Sequence, residues 1–222
     1  MSAPPPPTVV PPTVVLVHGL WFGAWSLALL ARQLRGAGFA TLRFHYRSTR
    51  GGLGQHARDL RRFAAQYPRE SVHFVAHSMG GLIVLKMLAD AERLPGGRIV
   101  LLGTPLGGSA VARRAARVPG GSRLLGMALD TLDRGCDGMT CRREVGMIAG
   151  TRGFGLGLLV GGTGGPGDGT VAVAETQADG LADRIELPVT HTGMLASGAV
   201  ARQVAVFLQT GRFDAALRPS SR

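Results

Sequence analysis

The segment Ala76-His77-Ser78-Met79-Gly80-Gly81 constrains this chain more than any other. It follows a β-type run at 72–76 and opens a helical run at 79–88, so Ser78 falls where a strand turns directly into a helix. Such a turn is too crowded for large neighbours, and Ala76 and Gly80 supply small residues at minus two and plus two. Glycine is the usual residue at minus two, and alanine is the smallest side chain that can replace it. A serine before a helix can also be an ordinary N-cap. The glycine pair and the strand–elbow–helix context favour a nucleophile instead, its hydroxyl raised above a sheet.

The rest of the chain alternates in the same rhythm. Strands are predicted at Thr13–Val17, 39–46, 71–76, 98–102, 145–149 and 184–187. Helices are predicted at 24–35, 56–67, 79–92 and 200–208. Strands separated by helices imply a mostly parallel sheet of about six strands, helices on both faces, in an α/β fold. Residues 13–222 read as one domain without internal repeats, and 1–12 as a Pro-rich disordered leader. Segment 109–143 holds one basic helix and a second around 124–132, enough to cover a site in part but too short for an independent cap. Residues 154–169 are glycine-rich and read as a flexible loop.

Composition removes several function classes. No apolar run approaches the ~20 residues that cross a bilayer. The leader has no Lys or Arg and no long apolar core, which predicts a cytoplasmic protein. Cys136 and Cys141 lack the neighbouring ligands of a zinc site, and free thiols are the expectation at a cytosolic address. The net charge of +11 is almost all arginine. Arg58, Arg61 and Arg62 share the outer face of a helix whose inner face is Leu60, Phe63 and Ala64, and Arg113, Arg114 and Arg117 share another segment. Without a nucleic-acid motif these faces read as solvated, with attraction to anionic surfaces as their ordinary consequence.

A serine nucleophile needs a base oriented by an acid. Where it sits at such an elbow, the partners come later in the chain, in the order Ser, Asp or Glu, His. Five histidines come before Ser78, the last being His77, whose ring is expected to point away from the hydroxyl; His191, just past the sixth strand, is the one that follows. Asp168, after the fifth strand, is the candidate acid, with an Asx turn as its structural alternative. Asp179 and Asp183 lie nearer His191 but read as solvated residues on the approach to the sixth strand. An oxyanion hole needs two backbone N–H groups. Met79 supplies one, and the loop His18-Gly19-Leu20-Trp21 the other, with Leu20 first and Trp21 second.

Val17-His18-Gly19-Leu20, the Ser78 elbow, Gly103-Thr104-Pro105-Leu106-Gly107-Gly108-Ser109, Asp168-Gly169-Thr170-Val171 and His191-Thr192-Gly193-Met194-Leu195 together resemble small bacterial lipases and carboxylesterases of the α/β-hydrolase superfamily. The Ala-first elbow is similar to that of minimal lipases and the inositol-deacylase-like branch. The resemblance spans roughly residues 13–210. It implies ester hydrolysis through an acyl-enzyme, with no metal or organic cofactor and a small-molecule ester or lipid as partner. Thioesterase, amidase and acyltransferase activities share the same constellation, and a non-catalytic lipid- or protein-binding relative is the alternative from another class. Candidates for the substrate wall are Trp21, Leu106, Phe154 and Met194, with Leu156, Leu158 and Leu159 beside them. With little chain for a cap, short to medium esters in an open cleft are the expectation.

Overall fold

The structure, a computed structural model, describes residues 11–67, 72–90, 96–136 and 142–217. Most of the proline leader and Cys141 lie outside the described residues. Six strands form one all-parallel sheet in the order β2-β1-β3-β4-β5-β6. They are β1 Thr13–Val17, β2 Ala40–Phe44, β3 Val72–His77, β4 Ile99–Leu102, β5 Val145–Gly150 and β6 Asp183–Leu187. The four inner strands are buried along their whole length, as expected where helices cover both faces.

Side chains alternate between two cores. Val15, Val17, Phe74, Ala76, Leu101 and Met147 face one side, under α2 Leu53–Ala65 and α3 Met79–Ala89. Val14, Leu16, Val75, Val100, Leu102 and Ile148 face the other, under α1 Ala28–Gly36 and α7 Gly198–Thr210. Helix α3 is apolar on nearly every side because it lies between the sheet and α2. Helix α2 carries Arg58, Arg61 and Arg62 outward and buries Leu60 and Ala64. Among the described residues no helix is long and apolar enough to cross a membrane.

The structure departs from the sequence expectation in three places. The run from residue 24 begins as a 3-10 turn, Ala24–Leu27, before α1. The covering segment forms three short helices rather than two: α4 Ala110–Arg117, α5 Gly121–Leu125 and α6 Ala128–Arg134. Gly120, Gly126 and Gly135 have positive φ and interrupt what would otherwise be longer helices. The glycine-rich 154–169 stretch contains a 3-10 turn at Leu156–Val160.

Three buried histidines sit in this frame as neutral rings. His73 Nδ1 accepts the Arg98 N–H at 2.9 Å, and His18 Nε2 accepts the Tyr46 N–H at 3.3 Å. Burial is the main cause that pushes His18 and His73 down to about 4 and His77 to about 3. In the unfolded chain each protonates near 6.5. The unfolded state therefore binds more protons between about pH 6.5 and pH 4, and stability falls as the pH is lowered through that window. Three such groups give a limiting slope of about 4 kcal/mol per pH unit. Urea-unfolding midpoints should drop steeply from pH 7 to pH 4, and a flat profile would contradict the assignment.

Candidate active site

The carboxyl ends of β1, β3, β4 and β5 and the segment after β6 converge on one edge of the sheet, where open α/β sheets bind ligands. Ser78 holds φ 55° and ψ −129° at the end of β3. Among the described residues it and Trp21 (φ 61°) are the only non-glycine residues with positive φ, and both lie at this edge. Such a conformation costs about 1–2 kcal/mol, so neighbours must impose it. The Ser78 N–H donates to the Leu102 carbonyl at 2.8 Å, and Thr104 Oγ1 donates to the Ser78 carbonyl at 3.0 Å. Gly80 brings α3 against the end of β1: a Cβ there would lie 2.5 Å from the His18 carbonyl oxygen and 2.8 Å from that of Val17. The Ser78 side chain makes no capping bond to α3, so helix capping does not account for this serine.

Asp168 and His191 meet beside it. His191 Nδ1 donates to Asp168 Oδ2 at 2.7 Å, with both side chains buried. The other carboxylate oxygen, Oδ1, accepts the N–H groups of Thr170 and Val171 at 2.9 and 2.8 Å. Asp168 is thus both the Asx turn and the histidine's partner, one oxygen for each. The Asp168 carbonyl also accepts the His191 N–H at 2.9 Å. Burial pushes the carboxyl pKa up, but His191 and the two amides outweigh it, and the net shift is downward. Nδ1 carries the proton in this pair, which leaves Nε2 of His191 as the basic nitrogen. His191 and Ser78 line the same cavity without a direct hydrogen bond between them, an arrangement common before substrate binds. Asp179 is exposed. Asp183, expected to be solvated, is instead half-buried in β6 and accepts the N–H groups of Arg184 and Phe213.

Among the described residues the N–H groups of Leu20 and Met79 have no acceptor, whereas the Trp21 N–H donates to Ser48 Oγ at 2.9 Å. Of the two candidates in the first loop, Leu20 is thus the one whose N–H stays open. The loop reaches the serine directly, since a Cβ on Gly19 would lie 2.9 Å from Ser78 Cβ. His18 fixes its path: Nδ1 donates to the Gly19 carbonyl, the Tyr46 hydroxyl donates to the His18 carbonyl at 2.8 Å, and the two rings stack at 4.3 Å.

His77 makes a contact that the sequence did not suggest. Its ring lies 4.5 Å from that of His191, and its Nε2–H donates to the His191 carbonyl at 2.9 Å. It lines the cavity while holding the His191 backbone. The sequence carried no signal for this contact, which joins residues 114 positions apart.

The cavity has a volume of about 1060 Å³. Trp21, Phe154, Leu156, Leu158 and Leu159 line it. Leu106 and Met194 do not: both are buried in the two cores, because the loops that carry them turn these side chains inward. The covering segment also lines it, including Val111, Ala115 and Val118, at i, i+4 and i+7. That helical spacing was the available signal. Among the described residues no group of three or more His, Cys, Asp or Glu side chains could hold a metal ion.

A family model described as "Alpha/beta hydrolase family" matches residues 14–173. No curated protein matches the sequence. Among solved structures, the lipase BlEst2 of Bacillus licheniformis is similar over 94% of each chain, with 21% identity and a TM-score of 0.74. The metagenomic carboxyl esterase MGS0156 is similar over 86% of this chain and 70% of its own, with 20% identity and a TM-score of 0.66. Phospholipase PlaB of Legionella pneumophila is similar over 90% of this chain and 59% of its own, with 17% identity and a TM-score of 0.73. At these identities the likeness establishes the fold.

Gly103 tests the geometry without reference to activity. It holds φ 55°, and a Cβ there would lie 2.9 Å from Asp168 Oδ2 and 3.1 Å from His191 Nδ1. Gly161 also has positive φ, 86°, but open space around it. Gly161→Ala should cost about 1 kcal/mol in denaturant unfolding, and Gly103→Ala about 3 kcal/mol. Equal costs would mean that the Asp168–His191 pair does not occupy this space.

Proposed function

The chain belongs to the alpha/beta hydrolase family, and on that premise we propose that it is a serine hydrolase that cleaves carboxylic esters through an acyl-enzyme. The observation that carries the proposal is Ser78 held at positive φ in the cavity that His191, bonded to Asp168, also lines. The largely apolar wall supports an ester with a sizeable hydrocarbon part, where the small covering segment suggested short to medium esters. The similar folds named as a lipase, a carboxyl esterase and a phospholipase support the same bond type.

In this reading His191 Nε2 takes the Ser78 proton as Oγ bonds to the ester carbonyl carbon. The carbonyl electron pair moves to oxygen, where the N–H groups of Leu20 and Met79 hold the charge. The tetrahedral adduct collapses, the bond to the alcohol oxygen breaks, and His191 returns its proton to the departing alcohol. Water then loses a proton to His191 and adds to the acyl carbon, and the bond to Ser78 Oγ breaks as His191 returns that proton to the serine oxygen, which releases the acid. Asp168 stays ionised throughout, fixes the imidazole tautomer and stabilises the imidazolium. Its lowered pKa suits that role.

Hydrolysis of p-nitrophenyl butyrate and longer esters tests the assignment. Ser78→Ala and His191→Ala should each lower kcat by about 10⁴-fold or more, and Asp168→Asn by about 10³–10⁴-fold, with melting temperatures little changed. Asp183→Asn should stay within about twofold of the parent, as a residue outside the chemistry. A harmless Asp168→Asn beside a crippling Asp183→Asn would overturn the choice of acid.

A further inference from the structure

Several residues that line the cavity are also strongly exposed, which places them at its rim. Leu159 is 81% exposed, Phe154 76%, Leu124 63% and Leu158 56%, with Val118 and Trp21 about half exposed. Large apolar side chains left in water around one opening mark a surface that meets something apolar. The elements that carry most of them hold more arginine than carboxylate. Residues 109–129, which carry α4 and α5, contain Arg113, Arg114, Arg117 and Arg123 and no carboxylate. Residues 145–167, which carry the 3-10 turn, contain Arg152 and no carboxylate, and the first acidic residue of the whole chain is Asp59. Arg113 is paired with Asp133, and Arg114 donates to the Gly162 carbonyl. Arg117 and Arg123 are exposed and form no ion pair with a described residue.

We propose that this rim docks on an anionic lipid surface, with its apolar side chains among the acyl chains and Arg117, Arg123 and Arg152 at the headgroups. Exposed apolar residues interleaved with arginine suit the boundary between headgroups and hydrocarbon. A second copy of the chain would bring the same arginines face to face. A protein seated on the rim would close the opening above Ser78, whereas a lipid layer would deliver an ester into it. This last argument rests on the hydrolase reading; the apolar ring and its charge stand without it.

The test uses the full chain carrying Ser78→Ala, so that binding is read without turnover. It should float with phosphatidylcholine vesicles containing 30 mol% phosphatidylglycerol, bind at least tenfold more weakly to pure phosphatidylcholine, and weaken as salt rises. Both tryptophans of the chain, Trp21 and Trp25, lie in the loop and turn after β1, so their emission should shift to the blue on binding. Arg117→Glu with Arg123→Glu should weaken binding at least tenfold, and Phe154→Ser with Leu159→Ser should abolish the blue shift, with unchanged melting temperatures in both. Failure to float, flotation indifferent to both double variants, binding to soluble polyglutamate but not to vesicles, or dimerisation through this rim would each overturn the proposal. If the parent protein hydrolyses no ester yet the Ser78→Ala protein still docks, the catalytic reading fails and the docking reading stands. Hydrolysis of soluble esters without vesicle binding gives the reverse.

Discussion

Everything at this edge of the sheet depends on one backbone position, the left-handed Ser78 between β3 and α3. Its cost of about 1–2 kcal/mol is met by contacts from four directions. β4 receives its N–H through the Leu102 carbonyl, Thr104 holds its carbonyl, Gly80 lets the helix close onto β1, and Gly19 lets the first loop pass beside it. Adding a methyl group at Gly80 or Gly19 would create overlap in each case, so these two glycines are spatial requirements. The same closeness brings the Leu20 and Met79 amides beside Ser78, where no acceptor among the described residues uses them.

The elbow, the sheet and the order of the site residues were legible because they are written locally. Each strand is a short apolar run bounded by turn residues, and each candidate residue follows a strand end. Ser78, Asp168 and His191 could therefore be chosen without knowing a single contact, although Asp168 also served an Asx turn. What stayed hidden involved side-chain direction and distance along the chain. Leu106 and Met194 sit next to site residues in sequence, yet both point into the cores. His77 neighbours the serine, yet it holds the backbone of His191. The preference for Leu20 over Trp21 gains its physical reason only when Ser48 is seen to occupy the Trp21 amide.

The covering segment altered the picture most. A stretch too short for an independent cap still lines much of the cavity, with glycines at 120 and 126 separating its three helices and Gly135 ending the last. Trp21 Nε1 donates to the Leu124 carbonyl at 3.3 Å and links this stretch to the loop that carries Leu20. Substrate access and the two amide donors thereby share a structural support. Part of the arginine excess lies on the same elements, at Arg113, Arg114, Arg117 and Arg123, beside the apolar rim.

Covalent capture tests the central claim most directly. The parent protein treated with a fluorophosphonate should gain the mass of one phosphonyl group, and peptide mapping should place it on Ser78. His191→Ala should slow that labelling by orders of magnitude while the protein remains folded, because the proposed base for the serine proton is then gone. A folded protein that stays unlabelled, or one labelled at a different residue, would contradict the account.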